Sequence, residues 1–428
     1  LRRRGVNGCM NMAEIVIAVA LMFFLLISLH EWGHFYFARR AGILVREFAI
    51  GFGPKLFSVK KGETRYTLRL LPIGGFVRMA GEDPETTEIQ PGQTIAVRLK
   101  DNLVTRIYID RLDERSDVLR GEVRSLDLED ELHIRLDADG DLQHLKVHPQ
   151  ALIVGRGQEI QIAPRDRQFA AKPVGKRAMA IFAGPLMNFA LAFVLFGFTI
   201  QLTGVPDDSS DKILIHGVEA NSPAEAVGLR KGDWIKSVDG QPVGGDVDAF
   251  IRMIAASGGQ PMKWVVVRRG EELTLTVATG EDGKVGIYPG PEMRAASLGE
   301  SLMFAGESFA RWTGIIFDGF RKLVAGDIPI DQINGIVKTT EVTVQIAKTG
   351  FPNLVHWAAI LSLYLGIFNL LPIPALDGSR LIFLGLEAVR GRPVDPKRES
   401  MVHFIGFAML MLLVVFVTYN DIVSLVKK

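Results

Sequence analysis

Apolar residues gather in this chain into four runs without a single charged side chain, at 15–29, 178–204, 357–376 and 401–419. Each run approaches or reaches the ~20 residues that a bilayer-spanning helix needs. Helices of a soluble protein keep a polar face, and these runs have none. The pattern predicts four transmembrane helices, over 12–38, 178–204, 356–378 and 401–420. Residues 45–80 instead alternate apolar and polar side chains around glycines, as in Thr64-Arg65-Tyr66-Thr67-Leu68-Arg69-Leu70, which reads as strands and turns. Residues 94–165 are strongly charged and place Leu132, Ile134 and Leu136 before Asp139-Gly140, a hairpin signal inside a small β-rich insert. In 298–350, Met303, Phe304, Phe309, Trp312, Ile315, Ile316 and Phe320 sit among polar residues. That spacing suits amphipathic helices on a membrane surface, or equally a helix packed under a soluble domain.

Composition adds little except by exclusion. The 428 residues are 48% apolar and 23% charged, with formal net charge +1 and mean hydropathy +0.21. These values exclude a disordered chain, and the near-zero charge argues against a nucleic-acid partner. One cysteine, Cys9, leaves no internal disulfide to form. The run at 15–29 is short enough for a signal-peptide core, but no small-residue cleavage site separates it from His30, so it is read as retained. Met10 and Met12 are both candidate start residues.

Flanking charge orients the spans. Arg39, Arg40, Arg46, Lys172, Lys176 and Arg177 border the first loop, and Arg390, Arg392, Lys397 and Arg398 the third. The second loop opens with Asp207, Asp208 and Asp211. The positive-inside tendency makes loops one and three cytoplasmic and places loop two outside; Arg2–Arg4 run against it.

His30-Glu31-Trp32-Gly33-His34 places two imidazoles four residues apart on one helix face, where both can reach a single Zn2+. Glu31 beside them can take a proton from water that the metal acidifies. Such groups at the end of a span are costly unless they face a cavity or a metal. A polar belt at the membrane interface is the alternative. A hydrolytic zinc site wants a third protein ligand, and Asp377 in Asn369-Leu370-Leu371-Pro372-Ile373-Pro374-Ala375-Leu376-Asp377-Gly378 is the best candidate. Alone, Asp377-Gly378 reads as a turn after a helix. Topology joins the two motifs, because the first and third spans run in the same direction. Ile15 to His30 is about 22 Å of helix, and Trp357 to Asp377 at most about 30 Å, in a hydrocarbon core of about 30 Å. Both motifs therefore approach the cytoplasmic side.

With Ile50-Gly51-Phe52-Gly53-Pro54, Leu71-Pro72-Ile73-Gly74-Gly75-Phe76-Val77 and Ala183-Gly184-Pro185-Leu186-Met187-Asn188, these motifs resemble, in order and spacing, the site-2 protease family of intramembrane zinc metalloproteases. The bacterial regulator-of-sigma branch is the nearest match. The resemblance implies zinc ligands His30, His34 and Asp377, Glu31 as catalytic base, and Asn369 against the substrate backbone. It also implies that 45–80 is a membrane-associated β-loop able to pair with an unwound substrate, with Gly74 and Gly75 as substrate-binding positions; a plain structural hairpin is the alternative. Ser379 stands where the family usually has a second glycine, and Ile333-Asn334-Gly335-Ile336-Val337 where it often has Ser-Gly-Pro.

Residues 212–290 resemble a bacterial protease-type PDZ domain, through Ala220–Ile235 and Val238-Asp239-Gly240. Val285-Gly286-Ile287 is its candidate carboxylate-binding loop for an extended peptide; a size filter that grips no peptide is the alternative. The expected architecture is thus a polytopic α-helical membrane protein with four transmembrane helices, a membrane-associated β-loop, an inserted cytoplasmic β-rich domain and one extracytoplasmic PDZ domain. By resemblance it works in the bacterial plasma membrane on single-pass proteins such as anti-sigma factors, or on remnant signal peptides. Two other readings compete: a surface peptidase of soluble peptides, and a non-enzymatic PDZ-bearing receptor with a structural zinc.

Overall fold

The structure is a computed structural model that describes residues 11–82, 89–138, 140–155, 157–207, 209–219, 221–280, 283–327 and 335–426. Arg2–Arg4, Cys9, Met10, Asp139, Asp208, Ala220, Ile333 and Asn334, all used in the sequence reading, lie outside the described residues. By internal contacts the chain divides into two units, one of 1–196 and 306–428, the other of 197–305.

Helix α1 (Met12–Arg40) opens with a capping box: the Asn11 side chain accepts from the Glu14 N–H while the Glu14 carboxylate accepts from the Asn11 N–H. Such a cap is worth about 1 kcal/mol and fixes where the helix starts. Strands β1 (Val45–Lys61) and β2 (Thr64–Met79) form a hairpin that folds back on itself: 55–61 pairs antiparallel with 64–69, while 47–50 pairs antiparallel with 75–78 on one side and alongside 65–68 on the other. Its far half leaves Phe52, Leu56, Phe57 and Leu70 exposed.

Six strands follow, β3 (Thr94–Lys100), β4 (Leu103–Tyr108), β5 (Leu119–Asp127), β6 (His133–Ala138), β7 (Asp141–Gly155) and β8 (Gln158–Gln161). Their order is β4-β3-β5-β6-β7-β8, and β4 also pairs in parallel with β7, closing five strands into a ring. Inside it lie Ile95, Val97, Val104, Ile107, Val123, Ile134 and Leu136. Glu63, at the tip between β1 and β2, ties the hairpin to this insert. Arg167 Nη1 and Nη2 donate to its two oxygens at 2.6 and 2.8 Å, and Gln161 donates at 2.7 Å. These donors, Arg167 above all, hold the Glu63 carboxyl down at about 2.

Helix α2 (Val174–Thr203) carries Pro185 in its interior. The second unit contains a sheet whose main path is Glu271–Val277, Met262–Arg268, Trp234–Val238, Ile213–Val218 and Ile287–Pro291, packed on Phe250 and the fully buried Trp264. Asp233, 1% exposed as a side chain, is gripped there by Arg268 through two 2.7 Å bonds.

The long amphipathic stretch forms helices over Leu298–Ala325 and Ile336–Lys348. Helix α3 (Phe351–Asn369) then stops well short of 378, because Pro372 and Pro374 cannot continue it. Asp377 is not the last residue of that helix but the first of the next, α4 (Asp377–Arg390). Helix α5 (Pro396–Val426) closes the described chain. Among the described residues, four helices are long and apolar enough to cross a membrane: Met12–Arg40, Val174–Thr203, Phe351–Asn369 and the 398–424 part of α5. The protein is a multi-pass membrane protein.

Candidate metal centre

Helix periodicity puts His30 and His34 on one face of α1, and that face meets α2. The crossing is close because small residues line it. A Cβ at Gly33 would lie 2.7 Å from the Ala183 carbonyl carbon, and one at Gly184 would fall on the His34 ring and 2.9 Å from His30 Cε1. Glycine at both positions lets the backbones approach as helices in lipid commonly do. His34 Nδ1 lies 2.9 Å from the Ala180 carbonyl oxygen and donates to it, so His34 Nε2 is left with its lone pair.

Asp377 arrives from the other direction. The turn before it carries Ala375 at φ +77°, a conformation costly for a side chain with a Cβ, and the Ala375 N–H donates to His403 Nδ1 of α5 at 3.2 Å. Two ion pairs hold α4 in place: Arg177 of α2 with Glu387, and Arg380 with Glu82 just after the hairpin.

The outcome is a triangle of donor atoms. His30 Nε2 and His34 Nε2 are 3.2 Å apart, and they lie 3.3 and 3.4 Å from Asp377 Oδ2. Bonds of about 2.0–2.1 Å in a zinc tetrahedron separate neighbouring ligand atoms by about 3.3–3.4 Å. The spacing is therefore that of one face of such a tetrahedron. Asp377 Oδ2 is buried without a hydrogen-bond partner, as expected of an oxygen whose partner is a cation. The donor set fits zinc, and no other His/Cys/Asp/Glu group of this kind occurs among the described residues.

Glu31 is buried beside the triangle at 7% exposure. Gly75 of β2 lies against it: a Cβ there would be 2.7 Å from Glu31 Cγ. Gly74, at φ +74°, turns toward the Phe52 ring instead. Asn369 ends α3, and its side-chain N–H donates back to the Leu365 carbonyl at 3.0 Å. In the second unit Val285 is buried in the core, and the Val285 and Gly286 carbonyls accept from Ala224 and Glu219 N–H groups. Ile287 pairs with Val218. The approach of Gly75 to Glu31 and the seating of the imidazoles on α2 are not readable from spacing. The one sequence signal for the latter is the Gly184-Pro185 pair inside an apolar helix.

Two imidazoles one helical turn apart on a span-length helix, a carboxylate from a distant helix and a buried glutamate beside them make a donor set that could hold a metal ion. The model of peptidase family M50 matches residues 18–413, and the chain belongs to that family. It is 42% identical to a zinc metalloprotease RasP of Oceanobacillus iheyensis, over 95% of this chain and 98% of the relative. A zinc metalloprotease RasP of Geobacillus kaustophilus is 44% identical, over 96% and 98%. The regulator of sigma-W protease RasP of Bacillus subtilis is 42% identical, over 95% and 98%. The chain is a membrane-embedded zinc metalloprotease.

Proposed function

We propose that His30, His34 and Asp377 hold Zn2+, that Glu31 is the catalytic base, and that the protein cleaves single-pass membrane substrates within their spans. Zinc at this position supplies a Lewis acid for the scissile carbonyl and an acidified water. Glu31 takes the proton of the attacking water and delivers it to the amine nitrogen as the peptide bond breaks. A helical substrate hides its peptide bonds in its own hydrogen bonds, so it must unwind before attack. The β2 segment at Gly74–Gly75, next to Glu31, is the surface on which an extended strand would be held. Asn369, at the break before Pro372, is assigned to the other side of the same substrate backbone.

The observation that carries this reading is the three-donor triangle with Glu31 buried at its side. A relative named regulator of sigma-W protease supports substrates of the anti-sigma type; remnant signal peptides are the second class. The charge pattern supports an active site near the cytoplasmic side and an extracytoplasmic second loop; the PDZ domain read over 212–290 would receive a peptide at its 285–287 segment.

Cleavage of a single-pass model helix in proteoliposomes tests the proposal. Wild type should cut within the span and Glu31→Gln should not. Cutting by both variants would overturn the assignment of the base. Cleavage of soluble peptides alone would favour a surface peptidase.

A further inference from the structure

The Ala183–Asn188 motif ends on a residue that the reaction as described leaves without a role. Asn188 is fully buried in an apolar helix, at 0% exposure. Its side-chain amide lies 3.1 Å from His30 Nδ1, and its Oδ1 has no hydrogen-bond partner. Ser362 of α3 donates to the Asn188 backbone carbonyl at 2.8 Å and pins this turn of α2.

A neutral imidazole carries one N–H. If His30 offers its Nε2 lone pair to a cation, the proton must sit on Nδ1 and needs an acceptor. With Asn188 Nδ2 facing the ring, the bond runs from the amide to Nδ1 and the proton is forced onto Nε2, where it excludes a metal. Turning the amide by half a rotation brings the unpartnered Oδ1 onto the Nδ1 proton and frees Nε2. An amide can serve both tautomers because its two ends have nearly the same shape and opposite hydrogen-bond character.

We propose that Asn188 is a positioning residue for His30: its Oδ1 accepts the Nδ1 proton and fixes the tautomer and ring angle that ligate the metal. His34 obtains the same service from the Ala180 backbone, so α2 orients both imidazoles from one face. Outer partners of this kind typically change metal affinity by about 10–100-fold when removed.

The inference rests on the zinc site proposed above, and the experiment separates the two. Zinc affinity of the full-length detergent-solubilised protein is measured by chelator competition for wild type, Asn188→Leu, Asn188→Asp and His34→Ala. Asn188→Leu should bind zinc about 10–100-fold more weakly. Asn188→Asp keeps an acceptor toward Nδ1 and should bind at least as tightly as wild type. Wild-type affinity in Asn188→Leu, or equal losses in the Leu and Asp variants, would overturn the role of Asn188. If Asn188→Leu does not fold, the Asp variant decides alone, since a merely structural amide would lose affinity on acquiring a buried charge. Undiminished zinc binding in His34→Ala would instead overturn the site itself.

Discussion

Gly75 packs on Glu31 so closely that a single methyl group at Gly75 would lie 2.7 Å from Glu31 Cγ and 2.7 Å from the Ala49 carbonyl oxygen. One wall of that contact is backbone and cannot yield, so the glutamate must. Gly75→Ala is therefore expected to lower kcat by about 100-fold, the scale of a 1 Å misplacement of a reacting group. Zinc content should stay at the wild-type level, because no ligand is touched. Metal analysis alongside the proteoliposome assay checks both halves; an unchanged kcat would show that Glu31 tolerates displacement.

Asp377→Asn and Glu31→Gln should part company in their metal content. The first removes a ligand charge and should weaken zinc binding by more than the ~10–100-fold typical of outer-shell changes. The second removes a base and should leave zinc bound. Equal metal content in the two purified variants would argue against Asp377 as a ligand.

What the sequence made legible was whatever a short stretch of chain decides for itself. His30 and His34 share a face because 3.6 residues make a turn, and Pro372 and Pro374 announce a break wherever they stand. Asp377 could be tied to the histidines only through the common direction of two spans and a family resemblance. The contacts of Gly75 with Glu31, and of Asn188 and Ala180 with the imidazoles, depend on how distant elements cross, which no local pattern encodes. The insert is similar. Its hairpin signal at Leu132–Leu136 is readable, whereas the parallel β4–β7 pairing that closes the ring joins strands with two others between them in sequence.

The Arg177–Glu387 pair joins α2 to the helix that begins with Asp377, and both side chains are largely buried. Arg177→Met should cost about 3–5 kcal/mol, because it strands a buried carboxylate. Adding Glu387→Leu should recover most of that loss. Thermal unfolding of wild type and the two variants in detergent checks the pattern; a double variant no better than the single would mean that the pair is not what holds these helices.

Glu63 predicts a dependence on acid. Its carboxyl, ordinarily near 4.5, is held at about 2 by Arg167 and the glutamines beside it. A depressed folded-state value stabilises the fold fully above about 4.5, and this contribution fades as pH falls toward about 2. Glu63→Gln should therefore lower the unfolding midpoint at neutral pH and flatten its decline between these limits. Parallel pH profiles for the two proteins would remove Glu63 from the account.

The distance along the chain between the histidines and Asp377 has a consequence for synthesis. His30 and His34 are made before the hairpin, the insert and the second unit, and Asp377 only after the third span. A nascent or prematurely ended chain lacking that span carries the signature of a peptidase without a centre to act. With Asp377 as the third ligand, as proposed, a half-built protease would lack its metal centre, and chemistry would wait for the helix that begins with Asp377.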